Sequence, residues 1–275
     1  MMLDEPRKLS DYLTYLQSRG QVVFTDQQAQ QALGISKRSL LDAAEKQQRR
    51  GRLLSPRQGF YVIVPAQFLS WGAPPPSWYI DDLMRHEDAP YYVGLLKAAE
   101  LHGASHQAVI EFQVITNKRL PRIKAGRSPI AFYYRKDMDP VRAGLADHRT
   151  DTGRMKVSGP ELTALDLVRY PRAAVGLSHI VTVLTDLGEK IDGAKLGAMA
   201  AHFERAVLQR LGYLLCLAGH EPKAEALSHQ MFRGASLPWI ELDPPLAADP
   251  DFAPEPVARD QPWHVIVRRI PEADE

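Results

Sequence analysis

Residues 35–51 read Ile35-Ser-Lys-Arg-Ser-Leu-Leu-Asp-Ala-Ala-Glu-Lys-Gln-Gln-Arg-Arg-Gly51. Ser36 is of a residue type that caps helix N-termini, and Leu40, Ala44 and Gln47 recur at the three- and four-residue spacing of one helix face. The stretch therefore predicts an amphipathic helix that begins after Ser36 and ends before the closing glycine.

The flanking sequence supplies the other parts of a small DNA-binding fold. Two shorter helices are predicted upstream, over residues 10–20 and 26–33, and Gly34 closes the second. Downstream, residues 52–64 predict two strands joined by a turn that contains proline and glycine. Three helices followed by a hairpin are typical of the winged helix-turn-helix, which we assign to residues 1–66.

Basic side chains concentrate in the third helix and the hairpin. Residues 35–57 contain seven basic and two acidic residues, a local charge of +5, whereas the whole chain carries only +1. A helix in the major groove reads bases near its N-terminus, and a hairpin tip such as Arg57 can reach a phosphate. We predict DNA contacts from Ser36, Lys37, Arg38, Ser39, Arg49, Arg50, Arg52 and Arg57. The alternative is a solvated basic helix in a winged helix that contacts protein.

The rest of the chain predicts a larger mixed α/β domain, so that the fold class is α+β. A length of 275 residues is typical of two domains. The tract 67–89 has three consecutive prolines and two tryptophans and is interpreted as a linker. The second domain is assigned to residues 90–218, and an acidic, proline-rich extension to residues 219–275.

Local patterns place elements within this second domain. Residues 89–103 predict a helix with proline in its first turn and glycine past its end. Strands are predicted at residues 109–116, 122–125, 129–134 and 154–157. Ser158 and Glu161 have the spacing of a capping box, which predicts the start of a further helix.

Four blocks of this domain are similar to those of a known family. They are Tyr91–His106, Phe112–Thr116, Val157–Pro171 and Ala206–Leu215. In this order they resemble the AbiEi abortive-infection antitoxins, and with the N-terminal winged helix the resemblance covers about residues 8–218. It implies a phage-defence antitoxin that represses its own operon by binding repeated operator sites upstream of it. It also implies a functional partner, a nucleotidyltransferase-like toxin.

A second basic cluster lies in the middle of the chain. Residues 118–136 include no acidic residue and seven basic ones, Lys118, Arg119, Arg122, Lys124, Arg127, Arg135 and Lys136. One interpretation is a second nucleic-acid or partner surface. The other is a set of cations on strand edges, where lysine and arginine prevent aggregation.

The C-terminal extension has the opposite charge. From residue 238 onward it contains nine acidic and three basic residues, a net charge of −6. It is either an acidic surface that binds a partner or mimics DNA, or a solvated tail strapped onto the second domain.

Several other classes of function are disfavoured. The N-terminus shows no secretory signal, no stretch approaches the length of a membrane span, and the single cysteine suits a reducing compartment, so a cytoplasmic protein is expected. Phosphate-binding glycine loops are missing, and Gly103 interrupts the helical pairing of His102 with His106. We expect no enzyme activity, cofactor or metal.

The alternative function is a ligand-responsive winged-helix regulator without a toxin partner.

Overall fold

The computed structural model describes residues 6–104, 109–231, 237–249 and 252–272. It is a mixed α and β protein that divides into two compact units, each assembled from separate chain segments. Unit 1 takes its described residues from 1–92, 110–136 and 147–156, and unit 2 takes its own from 93–109, 137–146 and 157–275.

The α-helices are α1 (Leu9–Ser18), α2 (Asp26–Leu33), α3 (Lys37–Arg49), α4 (Ile80–His86), α5 (Leu95–Leu101), α6 (Pro160–Arg169), α7 (Leu177–Lys190), α8 (Gly193–Ala200), α9 (Arg205–Leu217) and α10 (Glu221–Met231). The strands are β1 (Val23–Thr25), β2 (Leu53–Arg57), β3 (Phe60–Ile63), β4 (Tyr91–Val93), β5 (Phe112–Thr116), β6 (Ile130–Tyr134), β7 (Leu145–Thr150), β8 (Gly153–Ser158), β9 (Ile240–Glu241), β10 (Ala258–Asp260) and β11 (Val265–Val267).

The first 66 residues contain the elements that the sequence predicts there, in the predicted order. Strands β1, β3 and β2 form an antiparallel sheet with β3 in the centre. Helices α1, α2 and α3 contribute to one core, in which Leu13, Phe24, Leu40 and Tyr61 are buried. Phe24 stacks on Tyr61 with the ring centroids 5.0 Å apart, which joins two strands of the sheet inside that core.

Both ends of α2 are fixed by short-range interactions. At its N-terminus, the Thr25 hydroxyl accepts a hydrogen bond from the Gln28 backbone N–H, and the Gln28 side chain accepts one from the Thr25 N–H. At its C-terminus, Gly34 has φ +64° and ψ +30°, a left-handed conformation that costs glycine little. The turn from α2 into α3 therefore depends on a glycine.

A five-stranded sheet runs in the order β6-β5-β4-β8-β7. Strands β5 and β6 are parallel, with Phe112 opposite Ile130, and β4 is parallel to β8. The helix predicted over residues 89–103 is wrong in its first part, because Tyr91–Val93 forms β4. Aromatic and β-branched residues suit a buried strand, and α5 begins only after Gly94.

Two further sequence predictions differ from the structure. Residues 122–125 form no strand, and Ile123 makes only an isolated bridge to Ile130. The predicted capping box is also wrong, because Gly159 is the N-cap of α6 and Glu161 therefore stands one position too early. The Ser158 hydroxyl instead lies 2.7 Å from that of Thr163.

Unit 2 is built around α6, which packs against α5, α7, α8 and α9. Its residues Leu162, Leu165 and Leu167 are fully buried. Helix α10, which the sequence did not predict, packs against α8 and α9. The large apolar residues of α6 occupy several sides of the helix because neighbouring helices cover it on more than one side.

Part of the acidic C-terminal segment is folded onto α9. Strands β10, β11 and β9 form a small sheet, with β11 central and buried Val265 and Val267 in it. The side-chain amide of Gln209 donates to the carbonyl of Pro238 at 2.9 Å and to that of Trp263 at 3.0 Å. The Trp263 ring lies directly against Gly212 of α9. These described parts of the extension are therefore strapped onto unit 2 rather than free in solvent.

Gly212→Ala tests this packing. An added methyl group would overlap the Trp263 ring, so we expect a loss of roughly 1–2 kcal/mol in the free energy of unfolding despite the better helix propensity of alanine. Chemical denaturation measures it, with Gly153→Ala as the control, because no atom lies within 4 Å of a methyl group there. Equal stability of the two variants would contradict the packing of Trp263 on α9.

Candidate nucleic-acid interface

Helix α3 packs against the N-terminal core through one of its sides. Leu40 and Ala44 are buried in the core that α1, α2 and the antiparallel sheet share, and Gln47 is buried one turn further on. Gln47 is therefore not available to a ligand, although the amphipathic pattern alone does not separate it from the exposed Gln48. The remaining sides of α3 face solvent, apart from the half-buried Ala43.

The N-terminus of α3 combines a side-chain cap with two cations. The Ser36 hydroxyl accepts a hydrogen bond from the Ser39 N–H at 3.2 Å, and the two hydroxyls lie 3.0 Å apart. Lys37 and Arg38 follow in the first turn, which contains no acidic residue, and both are exposed. The positive end of a helix dipole disfavours cations, so Arg38, which has no ion pair within the described ranges, makes this turn less stable.

Asp26 contacts both this end of α3 and the turn that precedes β3. Its carboxylate is 3.6 Å from the ammonium group of Lys37, and its backbone N–H donates to the carbonyl of Gly59 at 2.9 Å. Burial and a hydrogen bond to the Asp26 carboxylate both raise the pKa of the Tyr61 hydroxyl above its ordinary value. Tyr61 therefore stays neutral beside the Asp26 carboxylate at the start of α2.

The C-terminal basic residues of α3 and the following turn are exposed. Arg49 pairs with Glu45 at 2.6 Å across one helical turn, and both side chains are more than half exposed. Arg50 and Arg52 are also exposed. Cations suit this negative end of the helix dipole, so this group has a structural role besides any ligand contact.

Arg57 occupies a different environment from the other predicted contacts. Its side chain is only 16% exposed, and its guanidinium donates to the Glu87 carboxylate at 2.8 Å and to the carbonyl of Pro121 at 2.7 Å. The same group lies over the Phe132 ring, 5.5 Å from its centroid. These contacts engage the donors of Arg57 within unit 1, so it is not part of the exposed basic surface.

The second basic cluster also belongs to unit 1 and is mostly exposed. Arg135 is buried, whereas the exposed members are Lys118, Arg119, Arg122, Lys124, Arg127 and Lys136. Some of these have partners: Lys118 donates to the carbonyl of Glu87, Arg122 pairs with Glu111 at 2.6 Å, and Arg119 lies over the Tyr134 ring. Tyr134 ends β6, an edge strand of the five-stranded sheet.

A groove beside the β2–β3 hairpin is lined by residues of α3 that the sequence analysis did not select. The groove has a volume of about 350 Å³, and Leu41, Asp42 and Glu45 line it together with Gln58 and Tyr61. Leu41 is 48% exposed, so its side chain can contact a ligand. Counting residues around the helix from Leu40 would have found this group.

Two polar groups of unit 2 that the sequence singles out, Glu161 and His102, make hydrogen bonds within the fold. The Glu161 carboxylate accepts a hydrogen bond from the Asp192 backbone N–H at 2.8 Å, and a ring nitrogen of His102 lies 2.7 Å from the carbonyl oxygen of Ser158. His106 lies outside the described residues. Among those that are described, no group of three or more histidine, cysteine or acidic residues could hold a metal ion. The described helices are also too short or too polar to span a membrane.

Comparison with known proteins identifies part of the chain. Residues 92–217 match the family model of the AbiEi antitoxin C-terminal domain, which confirms the resemblance seen in the sequence. The fold is similar to the crystal structure of the RV2827C protein from Mycobacterium tuberculosis, with a TM-score of 0.69 and 17% identity over 97% of this chain and 94% of that one. The curated proteins gave no match by sequence.

Arg57→Ala tests whether this residue is structural. Removing the guanidinium leaves the Glu87 carboxylate, only 18% exposed, without its partner, so the free energy of unfolding should fall by about 1–3 kcal/mol. Arg57→Lys should not restore it, because an ammonium group cannot reproduce the geometry of both bonds.

The matched control is Arg52→Ala, an exposed arginine near the start of the same strand, for which we expect a change within about 0.5 kcal/mol. Thermal unfolding of the full chain is the measurement. If the two alanine variants are equally stable, Arg57 is not held by the contacts described.

Proposed function

We propose that this chain, whose residues 92–217 match the AbiEi antitoxin C-terminal domain, is the antitoxin of a toxin–antitoxin pair and represses its own operon. Repression would come from binding operator DNA upstream of the operon. The observation that carries the DNA-binding part is the exposed, cationic N-terminus of α3.

We infer that residues 1–66 are a winged helix-turn-helix. The order of α1, α2, α3 and the β2–β3 hairpin, with a tight glycine turn between the last two helices, supports this assignment. In that fold α3 is the helix that enters the major groove. Its outward side is free to do so, because the contacts that hold it all lie on the side of Leu40 and Ala44.

The charge at the start of α3 favours a ligand with negative charge. Lys37 and Arg38 stand where the helix dipole makes cations unfavourable, which costs the free protein a little stability. A DNA phosphate placed there would neutralise both cations and accept hydrogen bonds from them. A merely solvated helix would gain nothing from this arrangement, so it supports a nucleic-acid contact over the protein-contact alternative.

The second basic cluster extends the proposed surface. Its exposed members share unit 1 with α3, and residues 118–136 contain no acidic residue, although Glu111 pairs with Arg122. Nucleic-acid affinity from such groups arises from released counterions and adds to that of α3. Arg135 and Arg57 are left out of the proposed interface, because both are buried or committed to protein partners.

The toxin partner is proposed from the family match alone. We propose a nucleotidyltransferase-like toxin as the functional partner and a non-enzymatic, cytoplasmic role in phage defence for this chain.

A second candidate function, ligand-responsive regulation, has one observation in its favour. A cleft of about 430 Å³ in unit 1 lies between β1 and α4, lined by Gln28, Trp78 and Arg85 among others. Its size is that of a small-molecule site.

Replacing Lys37 and Arg38 together by alanine tests the DNA-binding proposal. We expect the affinity for the DNA upstream of the gene to fall roughly 10- to 100-fold, because two charge-assisted contacts are lost. The free energy of unfolding should fall by no more than about 1 kcal/mol, because Arg38 is exposed at an end of the helix that disfavours cations and the Lys37 ammonium group lies 3.6 Å from the Asp26 carboxylate, at the edge of ion-pair range. Gel-shift titration and thermal unfolding measure the two effects.

The control for this variant is Arg142→Ala with Lys195→Ala, which removes two exposed cations from unit 2. An unchanged affinity in the Lys37/Arg38 variant, or an equal loss in both variants, would contradict the assigned interface.

Co-expression tests the antitoxin role. A nucleotidyltransferase-like protein encoded beside this gene should arrest growth when it is expressed alone, and co-expression of this chain should restore growth. A neighbour whose toxicity this chain does not relieve would contradict the proposed partner and favour the ligand-responsive alternative.

A further inference from the structure

The side of α3 opposite its core carries four charged residues in one narrow line. Arg38, Asp42, Glu45 and Arg49 are spaced i, i+4, i+7 and i+11, which places them within about 60° of one another on an α-helix. All four are exposed, and the arc lies opposite buried Leu40. The line has a cation at each end and two carboxylates in the middle.

The length of this line suits a major groove. Eleven residues of α-helix rise about 16 Å, which corresponds to roughly five base pairs of DNA. In the proposed docking, Arg38 and Arg49 would reach the two ends of that span, and the carboxylates would face the groove floor between them. A helix that bound only phosphates would gain from a basic residue at each of these positions.

Carboxylates face few favourable partners in a major groove. Phosphates repel them, and the guanine and thymine oxygens are acceptors like the carboxylates themselves. The donors on the groove floor are the amino groups of cytosine and adenine, and aspartate and glutamate pair with that of cytosine. Leu41, exposed beside them, suits contact with a thymine methyl group.

The local interactions of the two carboxylates do not account for their position. Glu45 pairs with Arg49, but such exposed pairs one turn apart contribute little to stability. Asp42 takes part in no ion pair within the described ranges. Both carboxylates therefore lie on the outward side of α3 and are open to a ligand.

We propose that Asp42 and Glu45 determine sequence specificity, each accepting a hydrogen bond from a cytosine amino group at the centre of the site that α3 reads. This inference rests on the proposed DNA-binding function. The cations of α3 then supply affinity, and the two carboxylates lower the affinity for DNA that lacks cytosine at these places.

Site selection from a pool of duplexes with randomised base pairs tests the proposal, using the full chain and the variants Asp42→Asn and Glu45→Gln. The native protein should select cytosine at two central positions. Each variant should lose its cytosine preference at one of them by about 5- to 100-fold and move towards adenine, because an amide pairs with adenine N6 and N7. Affinity for unselected DNA should rise, because a charge that repels phosphates has been removed.

Asp82→Asn is the matched control, because Asp82 is a partly exposed acid of unit 1 that pairs with Arg85 on α4 at 2.7 Å. It should leave the selected sequence unchanged. If the native protein selects a sequence and both α3 variants select the same one, the carboxylates do not read bases, and the DNA-binding function stands. If the native protein binds no duplex, the proposed function itself fails and this inference fails with it.

Discussion

The burial of Leu40 and Ala44 against the N-terminal core is the interaction on which the rest of the interface depends. With about 100° of rotation per residue, fixing these two positions fixes the direction of every other side chain on α3. It removes Gln47 from the surface and turns Arg38, Asp42, Glu45 and Arg49 outward. Gly34, in its left-handed conformation, sets where the helix begins, and the Asp26 carboxylate beneath Lys37 joins that beginning to the sheet.

The division of the chain into units differs from the order of its sequence. The family match covers residues 92–217, yet residues 110–136 and 147–156 belong to the same unit as the N-terminal helices. Arg57 illustrates the consequence. Its bonds to Glu87 and Pro121 and its position over Phe132 tie the β2–β3 hairpin to later segments of unit 1. The hairpin is thus anchored at its tip, and the basic residues from 118 to 136 belong to the same unit as α3.

Local rules were sufficient for the N-terminal helices. Ser36 caps α3 and Thr25 caps α2 as their residue types predict, and Gly34 closes α2. The failures come from long-range contacts. Tyr91–Val93 fits the helical spacing of the residues that follow it but pairs with β8, more than sixty residues away, and spacing within a segment cannot show that pairing. The role of Arg57 was missed for the same reason, because its partners lie 30 and 64 residues later. The line of charged residues on the outward side of α3 follows from the helical spacing alone, provided that Leu40 is buried.

Cleavage of DNA by a tethered iron chelate shows whether α3 of unit 1 enters the major groove. The chelate would be attached to a cysteine introduced at Lys46, exposed on α3, in a Cys216→Ser background. With the chelate at position 46, we expect strand cuts confined to a few base pairs within each site upstream of the gene. We expect no localised cuts from a chelate at Lys223, on α10 of unit 2. Localised cuts from position 223 with none from position 46 would contradict the entry of α3 into the groove.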